Sequence, residues 1–494
     1  MSPIQTTRIS NYRWVICLML FLATTITYMD RQVLSLTWEN FIAPEFAWTD
    51  EDYGRITGYF SLIYAIAMLF GGKFIDQTGV KSGYSWAMGV CTFGAIMHAL
   101  CGIITCGIIT DHWLIGFEGA KETLRDFGAT GLVISTISIF LFTLCRTILA
   151  IGQAANFPAA IKVTAEYFPK KDRAYATAVF NTGASVGALF APLTIPLMAR
   201  SFGWEMAFLV IGSLGYLWIL VWLFIYEQPD KCQKVNFAEM NYISQDEDAE
   251  AEEQASKKQA QQSIGIWKCL RYRQTWAIIV GKFMTDGVWW FFLFWTPVFL
   301  SDTYAYSSDS PMGMVLIFLL YLITILSVAG GYLPTYFVEK HAMTPFIARR
   351  RAMLMFACVQ LIGLFSLPMA SLSPWLFIII VGLQGASHQS WSANIFSMVG
   401  DMFPKNSIAT IIGIGGCAGG LASYIVMMST GDLLHYAQEM GDIFSFAGYY
   451  GKNAAYMVFF CTFSFFYLIG WAVMKILIPT DIKVTATAHV IKKS

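Results

Sequence analysis

Long apolar runs recur along the whole chain and constrain it more than any other feature: Trp14 to Tyr28, Ile134 to Leu144, Met206 to Tyr226 and Met353 to Met369 lie within four of them. A helix needs about 20 mostly apolar residues to cross a bilayer. Of the 494 residues, 56% are hydrophobic and 13% charged, where soluble domains carry roughly 25% charged residues. The bilayer therefore holds the entire fold. Apolar runs and turn signals predict spans near 12–36, 53–73, 83–105, 132–160, 173–199 and 204–226, then near 274–301, 312–338, 350–371, 374–401, 407–431 and 453–477. The expected class is an all-α integral membrane protein of 12 transmembrane helices in two six-helix halves.

Charge sets the expected orientation. With the N-terminus inside, inner loops carry Lys73, Lys81, Lys170, Lys171, Arg173, Arg349 to Arg351, Lys475, Lys483, Lys492 and Lys493, while the first outer loop carries Glu39, Glu45, Asp50, Glu51 and Asp52. The positive-inside rule then puts both termini in the cytoplasm. Arg8 and Arg13 precede the first run, which ends in Met29-Asp30-Arg31 instead of small residues. This is expected to be a retained helix and not a signal peptide.

The division is expected at 1–226, 227–272 and 273–494, a first half, a cytoplasmic linker and a second half. The linker carries Asp246, Glu247, Asp248, Glu250, Glu252 and Glu253 before Lys257 and Lys258, and reads as a solvated tether or a regulatory segment. Short echoes mark a repeat: Gly71-Gly72 with Gly330-Gly331, and Phe168-Pro169-Lys170 with Phe403-Pro404-Lys405. Their offsets, 259 and 235, differ by 24, which points to an outer insertion at 107–131 bearing Asp111, Glu118, Lys121, Glu122, Arg125 and Asp126. Parallel repeats place a site at the midplane between the halves.

The stretch Gly71-Gly72-Lys73-Phe74-Ile75-Asp76-Gln77-Thr78-Gly79-Val80-Lys81 resembles the loop signature of the major facilitator superfamily. The resemblance makes Gly72, Asp76 and Lys81 inner-gate residues. Tyr28-Met29-Asp30-Arg31, the run from Arg146 to Phe157-Pro158, Tyr167 to Ala174, Phe180 to Ala188 and His388-Gln389 resemble the anion:cation symporter branch, and most nearly bacterial hexuronate and sugar-acid transporters. The resemblance implies import of a hexuronate such as glucuronate or galacturonate with protons, Na+ being the alternative ion, by a multi-pass protein of the bacterial inner membrane. Many members of that branch have glutamate where this chain has Gln153. Tyr64 and Asn181 take substrate-contacting places by the same resemblance.

Ionisable groups at membrane depth are costly and ask for a role. Adjacent helical positions point about 100° apart, so Asp30 and Arg31 divide between them: Arg31 suits a carboxylate, Asp30 a proton, and the alternative is a structural ion pair. Arg146, Gln153 and Asn156 lie close along one helix, Gln153 and Asn156 being candidates for substrate binding, and an offset of 235 carries Gln153 to His388, so that the two are expected to face each other across the pseudo-twofold axis. Gln384, His388 and Trp391 share a face suited to a sugar, with Gln389 beside it, and His388 is a second proton candidate. Lys282, Asp286 and Trp289 follow i, i+4, i+7 spacing, so the charged pair either attracts an anion or neutralises itself.

The ten cysteines are scattered without a CxxC or a Cys/His set and read as buried small hydrophobes. No metal or cofactor is expected. The absence of HExxH and Walker patterns argues against an enzyme. The expected partners are a small anionic sugar, protons and the lipid bilayer, without nucleic acid, for a chain acting as a monomer. Another organic anion (an aldonate, an aldarate or a sialic-acid-like sugar acid) is the runner-up, and a non-transporting nutrient sensor the third reading.

Overall fold

The computed structural model describes residues 9–117, 120–245, 266–403 and 405–479. The acidic run of the linker and Lys483, Lys492 and Lys493 lie outside the described residues, as does the side chain of Asp76. In hydrocarbon a backbone must satisfy its own N–H and C=O groups, which makes each apolar run a helix. Twelve long helices result: α1 Tyr12–Thr37, α2 Asp50–Thr78, α3 Val80–Thr110 and α4 Gly131–Tyr167, α5 Lys170–Phe202, α6 Trp204–Ile225, α7 Arg273–Tyr304, α8 Pro311–His341 and α9 Phe346–Ala370, α10 Pro374–Met402, α11 Lys405–Met440 and α12 Gly451–Leu477.

Among the described residues, 11 helices are long and apolar enough to cross a membrane. The helix outside that set is α10, which is 29 residues long but carries Gln384, Ser387, His388, Gln389 and Ser390 in its middle. Two helices outrun their apolar stretches. A π-helical turn, Trp38–Ile42, carries α1 on into Ala43–Phe46, and α11 continues to Met440 on a polar end where His435 meets Glu439 at 3.5 Å. Thr49 starts α2 with a capping box to Asp52, which satisfies two otherwise orphaned donors.

The ends of the bundle are identified by their ion pairs. Lys452 at the start of α12 reaches Asp50 at the start of α2 (2.7 Å) and Asp302 near the end of α7 (3.1 Å). That is the far end. At the near end, where α1 begins, Glu239 of the short helix Phe237–Ser244 is buried and accepts from Tyr12 N at 2.9 Å and from Arg13 N and Nη1 at 3.1 Å. A carboxylate there caps the positive end of α1. This part of the linker is thus docked, and Tyr242 strengthens it by donating to Asp172 at 2.6 Å. Between α3 and α4, the short helix Ala120–Asp126 covers α3 with Ala120 and Leu124 buried, and Cys106 donates to Ala120 O at 3.4 Å.

The first six and last six helices meet most extensively along α2 and α11, α1 and α7, and α5 and α8. On the first of these seams the backbones touch: a Cβ on Gly54 would sit 2.8 Å from Gly431 Cα. Close approach of this kind is how helices gain packing in lipid, where burial of apolar surface gains nothing. At the far end the seam is sealed by hydrogen bonds to backbone carbonyls. Ser35 donates to Leu293 O at 3.3 Å, Tyr53 to Phe294 O at 3.3 Å and Ser308 to Leu36 O at 2.7 Å. Trp38 stacks on Tyr53 at 4.1 Å, and Trp295 meets Tyr53 edge-on.

Because Lys452 holds two carboxylates that belong to α2 and α7, its removal leaves them repelling across the seam. Lys452→Met is expected to open the far end more often. Maleimide labelling of a cysteine placed at the buried Ser308 should accelerate about fivefold or more, the effect of about 1 kcal/mol on a two-state equilibrium. An unchanged labelling rate would show that the ion pair does not hold the seam.

Candidate functional site

Thr27 and Arg31 lie one turn apart on α1 and point the same way. Gln153 on α4 braces both: its Oε1 accepts from Arg31 Nε at 3.3 Å and Nη2 at 3.1 Å, and its Nε2 donates to Thr27 O at 2.9 Å. Four rings surround the Arg31 guanidinium, those of Tyr64 (4.9 Å), Trp290 (5.0 Å), Tyr28 (5.1 Å) and Phe60 (5.7 Å). Each such contact is worth about 0.5–2 kcal/mol depending on desolvation. Among the described residues the hydroxyls of Tyr28 and Tyr64 make no hydrogen bond, and both residues remain partly exposed.

Arg146 lies behind this cage. It is fully buried, donates through Nη1 and Nη2 to Arg31 O at 3.4 Å, and lies over Phe60 at 5.2 Å, while its Nε has no partner. Asp30 turns away from Arg31 as the 100° step requires. Its Oδ2 faces Cys91 Sγ at 3.9 Å and its buried Oδ1 has no partner. No ion pair between Asp30 and Arg31 occurs among the described residues, so the two charges do different work.

The site continues across the seam through α7. Trp290 faces Arg31, whereas Trp289, one residue earlier, stacks on His388 of α10 at 5.5 Å and 2°. His388 Nδ1 lies 2.7 Å from the Tyr467 hydroxyl of α12. Lys282 pairs with Asp286 at 2.8 Å, donates to Ser392 Oγ at 3.3 Å and lies over Phe396 at 4.7 Å. Gln389 is partly exposed beside His388.

Several expected residues are held by protein partners. Gln153 and His388 are not joined: one is bound to α1, the other to α12. Trp391 is fully buried and donates to Gly281 O at 3.4 Å, and Gln384 exchanges hydrogen bonds with Gln360 of α9, so the face they share with His388 is braced by neighbouring helices. Asn156 spans Thr27 Oγ1 (3.2 Å) and the Tyr84 hydroxyl (2.5 Å), tying α4 to α1 and α3. Asn181 is exposed on α5. At the near end, Gly72 lies on α2 and Lys81 opens α3 beside a cavity of about 260 Å³ lined by Thr78, Gly79, Tyr226 and Lys231. Gly79 between them has φ 76° and ψ 157°, a conformation that requires glycine. Sequence reasoning missed Phe60, Thr27 and Tyr467, ordinary residues for apolar helices whose partners come from distant segments.

If Gln153 orients Arg31, removing its amide strands two guanidinium donors and a helix carbonyl. Gln153→Ala should lower unfolding free energy by about 1–3 kcal/mol, read as a fall in the thermal midpoint in detergent. A midpoint equal to wild type would mean that the brace contributes nothing.

Known proteins resemble this chain in sequence and in fold. The hexuronate transporter of Escherichia coli (strain K12) is 26% identical over 430 residues, covering 86% of this chain and 88% of that one. The galacturonate transporter of Dickeya chrysanthemi is 24% identical over 372 residues, covering 74% and 95%. A crystal structure of a D-xylose-proton symporter superposes with a TM-score of 0.63 at 18% identity, over 93% of this chain and 97% of that one. The family model of the Major Facilitator Superfamily matches residues 20–427. The chain therefore belongs to the major facilitator superfamily, and is a multi-pass membrane transporter rather than an enzyme.

Proposed function

We propose that the protein imports a hexuronate, such as glucuronate or galacturonate, together with protons. Two six-helix halves, with α10 as the twelfth span, would alternate access to a site at their seam. The charge balance of that site carries the reading. Arg31, Arg146 and Lys282 share this region with Asp30 and Asp286, so three cations against two carboxylates leave one positive charge in a region where an unpaired charge is costly. A monoanion neutralises it. The guanidinium of Arg31 suits a carboxylate by its planar fork, and the rings and free hydroxyls of Tyr28 and Tyr64 suit a polyol with an apolar ring face. The relatives, a hexuronate and a galacturonate transporter, point to the same substrate class.

The near end holds Lys73, Lys81, Lys231, Lys234, Arg271, Arg349, Arg350, Arg351 and Lys475, which favours a cytoplasmic near end in a bacterial inner membrane. The sealed far end is then what an inward-facing state requires. Asp30 is the proton carrier in this reading, because its buried Oδ1 lacks any partner and gains most from a proton.

Two experiments in proteoliposomes test it. Galacturonate or glucuronate should exchange by counterflow and compete with each other; a sensor would bind without exchange, and stabilisation only by aldonates or aldarates across a sugar-acid panel would replace the substrate assignment. Asp30→Asn should retain counterflow while accumulation driven by a pH gradient falls. Wild-type accumulation in that variant removes Asp30 from coupling.

A further inference from the structure

Lys282 and Asp286 form an ion pair with an unfinished set of partners. Their side chains are 7% and 15% exposed, Nζ to Oδ2 is 2.8 Å, and Asp286 Oδ1 is a buried atom with no hydrogen bond. A pair kept only as a staple has little to recommend it, since buried ion pairs roughly break even against apolar replacements. The surroundings are nevertheless shaped for this carboxylate. Gly419 of α11 lies against it, such that a Cβ there would come within 2.7 Å of Asp286 Cγ and 3.0 Å of its Cβ. The ammonium also reaches beyond its partner, to Ser392 Oγ and over the ring of Phe396 on α10, whose side chain is exposed.

Lys282 is the charge that acts on Asp286. The titratable groups facing the pair from packed helices are Tyr28 on α1, Tyr467 on α12 and, towards Lys282, His388 on α10. None of these is a second cation to Asp286. Were an oxygen of the ligand to take Lys282 with Asp286 still ionised, that carboxylate would be left buried without a counter-charge. Protonation of Asp286 removes that penalty, and across the whole site the charge is the same before and after: a proton at Asp286 and the ligand carboxylate at Arg31 enter together.

We propose that Lys282 and Asp286 form a proton-operated substrate site, in which Asp286 takes up a proton and releases Lys282 to a hydroxyl or ring oxygen of the sugar acid whose carboxylate Arg31 holds. The proposal rests on the sugar-acid reading above and adds a proton acceptor on α7, distinct from Asp30 on α1. One proton moves from water to an Asp286 oxygen, the ion pair opens, and a new charge-assisted contact forms at Nζ; no covalent bond changes. Asp286 and Lys282 thus become coupling and specificity residues on the last six helices, where Gln153 on α4 has no titratable proton to offer.

Galacturonate binding to the purified full-length protein, followed by calorimetry with a pH-indicator dye in weak buffer, tests this. Asp286→Asn should still bind galacturonate but take up about one proton fewer per molecule bound, and Asp286→Glu should restore the wild-type uptake. Lys282→Gln should weaken binding about tenfold or more, as expected for loss of a charge-assisted contact. Wild-type proton uptake in Asp286→Asn, or wild-type affinity in Lys282→Gln, overturns the proposal and leaves the pair structural. If Asp286→Asn does not fold, the double variant Lys282→Gln/Asp286→Asn removes both charges together; weak binding with reduced proton uptake supports the site, and unchanged uptake overturns it. Failure of the wild type to bind any sugar acid overturns the transport reading along with this one, whereas binding with unaltered proton uptake in the variants overturns this one alone.

Discussion

The structure turns on a guanidinium placed where water is scarce. Arg31 is 7% exposed on a helix that must otherwise be apolar to cross the bilayer, and charge at that depth is costly. The chain meets the cost with an amide and four aromatic rings instead of a carboxylate, so the positive charge is stabilised without being cancelled. An ionised carboxylate partner would cancel that charge until it took up a proton. Gln153 fixes two donors and the Thr27 carbonyl and leaves the guanidinium charge uncancelled without a proton.

The same cage ties the site to the seam. Its rings come from α1, α2 and α7, so the arginine of the first helix is packed by a tryptophan from the seventh. One turn further along the same face of α1, Ser35 donates to Leu293 O of α7 and helps close the far end. A ligand that draws Arg31 forward acts within a turn of the closing contacts. On the adjacent seam the glycine contacts of α2 with α11 bring the backbones together without a side chain between them.

The apolar runs made the helices legible, and helix geometry alone separated Asp30 from Arg31. Both rest on local periodicity, which a sequence displays directly. The partners of buried polar groups are another matter, because they are chosen by tertiary packing. Gln153 read as a substrate ligand, yet its amide is spent on Arg31 and Thr27, 122 and 126 residues away. His388 read as facing Gln153, but its ring is taken by Trp289 and Tyr467. Tyr467 gave no signal in an aromatic-rich α12. Helix extensions beyond the apolar runs, as at Trp38–Ile42 and the end of α11, run through a π-turn and through polar side chains that hydropathy does not register.

Arg31, caged by aromatic rings and oriented by Gln153, is the group proposed to bind the substrate carboxylate. Its most direct test is galacturonate affinity in Arg31→Lys, measured by calorimetry on folded protein, because a lysine keeps the charge and discards the fork. Affinity at least about tenfold weaker is expected, from the loss of one charge-assisted contact. Wild-type affinity in that variant would contradict it.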